Sequence, residues 1–167
     1  MQGRYRKNFY VRSSETPHCP HCDRILMVAG SRKRILRESD GQKSILIIRR
    51  LKCEHCKRIH HELPDSIVPY KRYSADAIEE ILAEKKEEIY PCETSTALRL
   101  RCWFSLLREY FEMALSAIRY RHREDKEIWQ RLSVLTPLTP TDQPAGWLRN
   151  IVRILVNSGF WLQTRSA

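Results

Sequence analysis

The sequence predicts an α+β protein in which an N-terminal β-ribbon is followed by an all-α bundle. In the first part, two Cys-x-x-Cys pairs bracket a β-prone run that contains an Asp-Gly turn signal. In the second part, apolar side chains recur at helical spacing between residues that cap or break helices. We therefore expect two units, residues 1–68 and residues 69–167.

The first unit is organised around Cys19-Pro-His-Cys22 and Cys53-Glu-His-Cys56. Each tight turn can direct two thiolates at one point, so two turns supply the four ligands of a closed tetrahedral site. The spacing predicts one structural Zn²⁺ held by these four cysteines. Cys92 is left over, as is Cys102, and both are expected to be buried or half-buried thiols in a reducing compartment.

Thirty residues separate the two pairs, and their pattern predicts a β-hairpin. A first strand begins at Arg24, with Gly30 as a candidate bulge. The Asp-Gly turn follows within 39–42, and a β-branched run over 43–52 returns to Cys53. A third strand after Cys56, ended by Pro64, completes a predicted zinc ribbon.

The net charge of +10 is unevenly distributed along the chain. Residues 1–72 carry +10, residues 73–98 carry −5 and residues 99–167 carry +5. A basic ribbon beside a metal site favours a surface that faces a polyanion, with double-stranded DNA as the expected partner. The alternative is a solvated face whose charge contributes only to solubility. The ribbon cations predicted to contact phosphate are Arg32, Lys33, Arg34, Arg49 and Arg50.

Residues 1–17 interleave cations with aromatic side chains such as Tyr5, Phe9 and Tyr10. Such an arm can contact phosphates and stack on bases. It can equally form a strand that packs on the ribbon, and the sequence leaves the two possibilities open.

Five stretches of the second unit have helical patterns. The first begins after the capping residue Ser74, and residues 85–90 are compatible with a short further helix that Pro91 ends. A long helix is predicted from Thr94 to about Arg121, and shorter ones over 128–135 and 146–157. A proline-rich loop separates the last two.

The helix after Ser74 and the beginning of the long helix from Thr94, about residues 74–106, have the order expected of a helix-turn-helix. In that motif the N-terminal side chains of the second helix contact base edges in the major groove. The residues predicted to do so are Ser95, Thr96, Arg99 and Arg101. A plain helical core with exposed arginines would produce the same pattern.

With these motifs in view, the chain resembles small uncharacterised proteins of bacterial mobile elements. The likeness is carried by the two cysteine pairs, by His-His-Glu-Leu-Pro-Asp, by Val-Pro-Tyr-Lys-Arg-Tyr and by the C-terminal Gly-Trp-Leu stretch. Residues 15–110 are also similar to the zinc-ribbon and helix-turn-helix region of some insertion-sequence transposases. The resemblance implies zinc at the four cysteines and DNA contact through the helix that opens at Thr94. Family glycines after each cysteine pair are replaced here by Asp23 and Lys57.

The remaining expectations concern class and location. No phosphate-binding glycine loop, nucleophile elbow or metalloprotease helix is present, so the sequence predicts a non-enzyme. It also lacks a membrane span and a secretory signal, which predicts a cytoplasmic, nucleoid-associated bacterial protein. The expected role is an accessory or regulatory factor of a mobile element, with a transposase or recombinase as a further partner. The alternative is a protein-interaction module that docks a recombinase without sequence-specific DNA binding.

Overall fold

The computed structural model describes residues 5–14, 16–83, 92–133 and 136–161, and within them the fold is α+β, as predicted. The predicted short helix at 85–90, with Pro91, lies outside the described residues. The strands and helices are β1 (Tyr5–Tyr10), β2 (Leu26–Arg37), β3 (Lys43–Cys53), β4 (Ile59–His61), α1 (Ala75–Leu82), α2 (Thr94–Arg121), α3 (Lys126–Ser133) and α4 (Trp147–Asn157).

β3 lies at the centre of a four-stranded mixed sheet. β2 pairs with it antiparallel along its whole length, which confirms the predicted hairpin. On the other edge of β3, β1 pairs in parallel near Ile45, and β4 pairs antiparallel near Leu51. The N-terminal arm, for which the sequence left two possibilities, therefore forms a strand over Tyr5–Tyr10. The predicted third strand is confirmed as β4.

Two glycines shape the hairpin. Gly41 in the turn has a φ of 75°, a left-handed conformation that glycine adopts without steric cost, and the Asp40 side chain accepts a hydrogen bond from the Gln42 backbone N–H (2.9 Å). Gly30 has a φ of 136°, and the strand register shifts between Val28 and Gly30. This is the predicted bulge, and it increases the local twist of the ribbon.

The ribbon buries opposite faces at its two ends. Near the hairpin turn the buried residues of β3 include Leu46 and Ile48, whereas near the cysteines they are Leu51 and Cys53. Because successive side chains of a strand point to opposite faces, these two pairs lie on different faces of the sheet. Arg50 therefore lies on the face that is buried at one end of the ribbon and open to solvent at the other.

The helices pack around a separate apolar core. Ser74 caps α1 by accepting a hydrogen bond from the Ala77 N–H (3.2 Å), as predicted. The N-terminus of α4 is capped by a residue from another helix: the Glu79 carboxylate accepts the N–H groups of Gly146 (2.9 Å) and Leu148 (2.8 Å). Among the described residues, no helix combines the length and the apolar character that a membrane span requires.

The arrangement of α1 and α2 differs from a usual helix-turn-helix in two respects. The connection over residues 83–93 is longer than the three or four residues typical of that motif. In addition, α2 has 28 residues, about 42 Å at 1.5 Å per residue, far longer than one groove contact needs. The helix-turn-helix therefore stays a prediction.

Candidate metal centre and basic ribbon

The two cysteine turns repeat one backbone design. In each turn the first cysteine donates its N–H to a carbonyl five residues on, from Cys19 to Arg24 (2.8 Å) and from Cys53 to Arg58 (3.0 Å). The residue after each second cysteine is left-handed, with a φ of 56° at Asp23 and 61° at Lys57. The positions where the sequence lacks the expected glycines thus keep the conformation that glycine would favour.

Pairing of β2 with β3 brings the two turns together. The thiol sulfurs of Cys19, Cys22, Cys53 and Cys56 all lie within 4.8 Å of one another. Cys19 Sγ is 3.6 Å from Cys56 Sγ, and Cys22 Sγ is 3.5 Å from Cys53 Sγ. Four thiolates bound tetrahedrally at ~2.3 Å from one zinc ion would be separated by about 3.8 Å. The spacing fits a four-coordinate metal ion.

The chemistry of this donor set also fits a cation. The Cys56 backbone N–H, acting against burial, lowers the pKa of the Cys53 thiol to about 6. At Cys22 the Arg24 backbone N–H acts in the same direction, but burial and the neighbouring sulfurs of Cys53 and Cys19 raise its pKa to about 11. Four thiolates at such distances repel one another, so a bound divalent ion is needed for all four to be ionised together.

Histidines flank the sulfur cluster. His60 Nε2 lies 3.6 Å from Cys19 Sγ, a distance at which the ring can donate a hydrogen bond to the thiolate. Burial, and then the positive charges of His21 and Arg58, lowers the pKa of His60, which favours a neutral ring at pH 7. Such partners orient ligands and tune their charge. Among the described residues, the metal-ligand cluster consists of cysteines alone.

The ribbon cations predicted to contact phosphate fall into two groups. Arg34 donates from Nη2 to the Lys71 backbone oxygen (2.7 Å), and Arg49 is paired with Glu62. Arg32 and Lys33 are exposed, and Arg50 is half-buried. Within the described parts of the chain, these three residues form no ion pair with an acidic side chain. The structure therefore leaves Arg32, Lys33 and Arg50 available and uses the others internally.

The Arg49–Glu62 pair connects three segments: the residues after β1, the strand β3 and the residue that follows β4. Both Arg49–Glu62 nitrogen–oxygen distances are 2.5 Å, and Glu62 also accepts the Ser13 backbone N–H (3.0 Å). Because Arg49 and then the Ser13 N–H favour the ionised carboxylate, and outweigh burial, the pKa of Glu62 is lowered. A lowered carboxylate pKa contributes stability above the unfolded-state pKa, so at pH 7 the contribution is complete, and it is lost only as the pH falls through the folded-state pKa.

Glu62→Gln should therefore lower the free energy of unfolding at pH 7 by about 1–3 kcal/mol, because a half-buried guanidinium loses its charged partner. Urea titration of the metal-loaded protein measures this loss. Glu54→Gln is the matched control, since the Lys57–Glu54 pair is exposed (3.1 Å) and such pairs contribute about 0–1 kcal/mol. An equal effect of the two substitutions would contradict the assignment.

The predicted reading residues of α2 are also divided. Ser95 and Arg99 are exposed and Thr96 is half-buried at the start of the helix. Arg101 instead donates from Nε to the Ile81 backbone oxygen (3.0 Å), which ties α2 to the end of α1. The structure brings three of the four residues to the surface and uses Arg101 in packing.

The turn end of the ribbon is joined to the segment before α1, because the Arg37 N–H donates to the Arg72 backbone oxygen (2.8 Å) and the Arg37 oxygen accepts the Ser74 N–H (2.8 Å). The Arg37 guanidinium lies 5.7 Å from the centre of the Tyr73 ring. The charges of Arg101 and Arg37 also reach Cys92, although burial, the larger effect, raises the pKa of that thiol. The half-buried Cys92 agrees with the sequence-based expectation, whereas Cys102 is exposed, so the expectation for it is wrong.

Comparison with known proteins gives a family match, which covers the ribbon and the start of α2. A family model described as a domain of unknown function (DUF6431) matches residues 19–100. The matched residues begin at the first ligand cysteine and end in the second turn of α2. They include the sulfur cluster and the hairpin. No curated protein and no solved structure matches the chain.

Proposed function

We propose that this is a zinc-stabilised DNA-binding protein. The observation that carries the proposal is a set of accessible cations, Arg32, Lys33 and Arg50, on a ribbon whose base is closed by four cysteines. Phosphate contacts by such side chains supply most of the affinity of proteins for duplex DNA. The proposed site of action is the bacterial cytoplasm, at the nucleoid.

The metal in this proposal is Zn²⁺. Four thiolates in tetrahedral spacing select zinc or iron, and a single mononuclear site built from two turns is typical of structural zinc. The ion supplies charge neutralisation and a fixed ligand geometry. Cys53 ends β3 and Cys22 lies shortly before β2. The cysteines would therefore hold the two ends of the hairpin together when the ion is bound.

A second DNA contact is proposed at the start of α2. Ser95 and Arg99 are exposed there, and arginine can pair bidentately with guanine. The charge of Arg37, at the turn end of the ribbon, reaches Cys92 just before α2, which supports a common surface. In this proposal the ribbon positions the protein on the DNA phosphate backbone, and α2 recognises the base sequence.

The proposed setting is a mobile element, where the protein acts as an accessory or regulatory factor. Support comes from the resemblance in the cysteine pairs and in the segments that follow them. A transposase or recombinase is the proposed protein partner. DNA-site selection from random duplexes would identify the preferred target.

Arg99→Ala should weaken binding to the selected duplex by about 1–3 kcal/mol and binding to random duplex much less. Fluorescence anisotropy over a range of salt concentrations measures both. Arg108→Ala is the matched control, since Arg108 is an exposed α2 arginine with only a 3.9 Å contact to Glu112. Affinity of the wild type should fall steeply with salt, because phosphate contacts release counterions. A wild type that binds no duplex at low salt would overturn the proposal.

One observation favours the alternative, a protein-interaction module. α2 exposes a stripe of apolar side chains on the face opposite its core, namely Leu98 (57% exposed), Leu106 (76%), Met113 (64%) and Tyr120 (71%). Leu106, Met113 and Tyr120 are spaced by seven residues, which places them on one face of a helix. Heptad spacing of this kind suits an amphipathic partner helix.

Binding measurements with duplex DNA and with a recombinase, each made with Arg99→Ala and Leu106→Glu, separate the two functions. The alternative predicts a complex with the recombinase of the same locus that survives high salt and is unaffected by Arg99→Ala. It also predicts loss of that complex in Leu106→Glu. Salt-sensitive duplex binding that is unchanged in Leu106→Glu supports the DNA-binding function instead.

A further inference from the structure

One face of the sheet carries a row of nitrogen-bearing side chains that crosses three strands. Arg50 on β3 lies opposite His61 on β4 in the strand register, so both side chains are on the same face. Arg32 on β2 is paired with Ile48, two residues from Arg50 on β3, and is therefore a diagonal neighbour of Arg50 on that face. The row follows directly from the register of β2, β3 and β4.

These side chains line an open concavity of about 440 Å³, together with Ser31 and Ile59. We call it the Arg32–Arg50 pocket. None of its five lining residues is acidic. At Gly30, opposite Arg50, a side chain is absent, and a Cβ placed there would meet no atom within 4 Å. The bulge thus contributes to the open space beside the two guanidinium groups.

The electrostatics of the pocket agree with this geometry. Burial is the main reason that the pKa of His61 is lowered, and the charges of Arg32, Arg50 and Arg34 lower it further. The positive field of three arginines therefore reaches the His61 ring. A field of one sign in a concavity attracts an ion of the opposite sign.

We infer that the Arg32–Arg50 pocket binds a backbone phosphate of duplex DNA. Planar guanidinium groups hydrogen-bond phosphate oxygens bidentately, and a His61 ring N–H is a further donor. Small-molecule sites bury most of their ligand, whereas this concavity is open, which suits one phosphate of a polymer that passes across it. The inference rests on the proposed function and adds the face of the ribbon that contacts DNA.

Arg50→Gln should weaken binding to a random duplex roughly tenfold and should lower the slope of log affinity against log salt by about one. Fluorescence anisotropy at several salt concentrations measures both. Arg72→Gln is the matched control, because Arg72 is an exposed arginine that does not line the pocket. It removes the same charge and should change affinity far less.

Arg50 is half-buried, so Arg32→Gln, at an exposed position of the same pocket, is a second variant with the same expected effect. Zinc content and melting temperature of each variant establish that it is folded. Equal losses in the pocket variants and in Arg72→Gln would overturn the pocket while leaving DNA binding intact.

Binding of inorganic phosphate provides a test of the pocket that does not depend on DNA. In NMR spectra at constant ionic strength, phosphate should shift the Nε–Hε signals of Arg32 and Arg50 and the ring signals of His61, and Arg50→Gln should remove the effect. No shift at 50 mM phosphate would overturn the pocket. Shifts without duplex binding, or with binding only to phosphatidylglycerol vesicles, would overturn the assignment to DNA and the proposed function with it.

Discussion

Cys53→Ser should abolish stoichiometric zinc binding and unfold the ribbon. Cys53 is fully buried, and its sulfur lies 3.5 Å from Cys22 Sγ. Its loss leaves three ligands and a serine that does not ionise at neutral pH. Structural zinc in zinc-finger peptides contributes an apparent binding energy of about 10–16 kcal/mol at pH 7, which is as large as the roughly 5–15 kcal/mol of total stability of most domains.

Metal analysis and NMR spectra of the ribbon residues measure this outcome. The apolar core of the helices is separate from the cluster around the cysteines, so helical circular dichroism should be largely retained. Cys102→Ser is the matched control, because that cysteine is exposed and outside the sulfur cluster. A folded Cys53→Ser protein without bound metal would contradict the structural role of the site. Chelation of the wild type should reproduce the variant's behaviour.

Phe111→Ala should have the opposite pattern, with loss of helical packing and retention of zinc. Phe111 is 1% exposed. Its ring stacks on Trp161 with a centroid distance of 5.4 Å and meets the edge of Trp103 at 6.2 Å. Truncation of a buried phenylalanine leaves a cavity, and the expected loss is about 3–5 kcal/mol in the free energy of unfolding.

Chemical denaturation followed by tryptophan fluorescence measures this loss, and metal analysis of the same samples reports on the ribbon. Phe111→Leu, which fills most of the cavity, should cost much less. The Cys53 and Phe111 variants together test the predicted boundary near residue 68. Loss of zinc in Phe111→Ala would show that the two units fold as one.

The prediction from sequence succeeded where the signal is local. The spacing within each cysteine pair, the Asp-Gly turn, the bulge at Gly30 and the cap at Ser74 each depend on a few adjacent residues. Their conformations follow from backbone sterics and short-range hydrogen bonds, and the structure contains all of them. The grouping of four sulfurs followed as well, because a hairpin necessarily returns the chain to its start.

Contacts between residues that are distant in sequence could not be predicted from such local signals. Nothing near Arg49 indicates that Glu62 neutralises it, and nothing near Glu79 indicates that it caps α4. The parallel pairing of β1 with β3 is equally non-local. Such contacts depend on which segments pack side by side, and many sequences with the same periodicity would pair differently.

The sequence by itself therefore determined the cluster of four cysteines, the hairpin and the order of helices. Only the tertiary structure decided which cations remain available. On β3, neighbouring Arg49 and Arg50 have the same chemistry, but successive side chains of a strand point to opposite faces. One face places Arg49 against Glu62, and the other places Arg50 beside Arg32 and His61 in an open pocket.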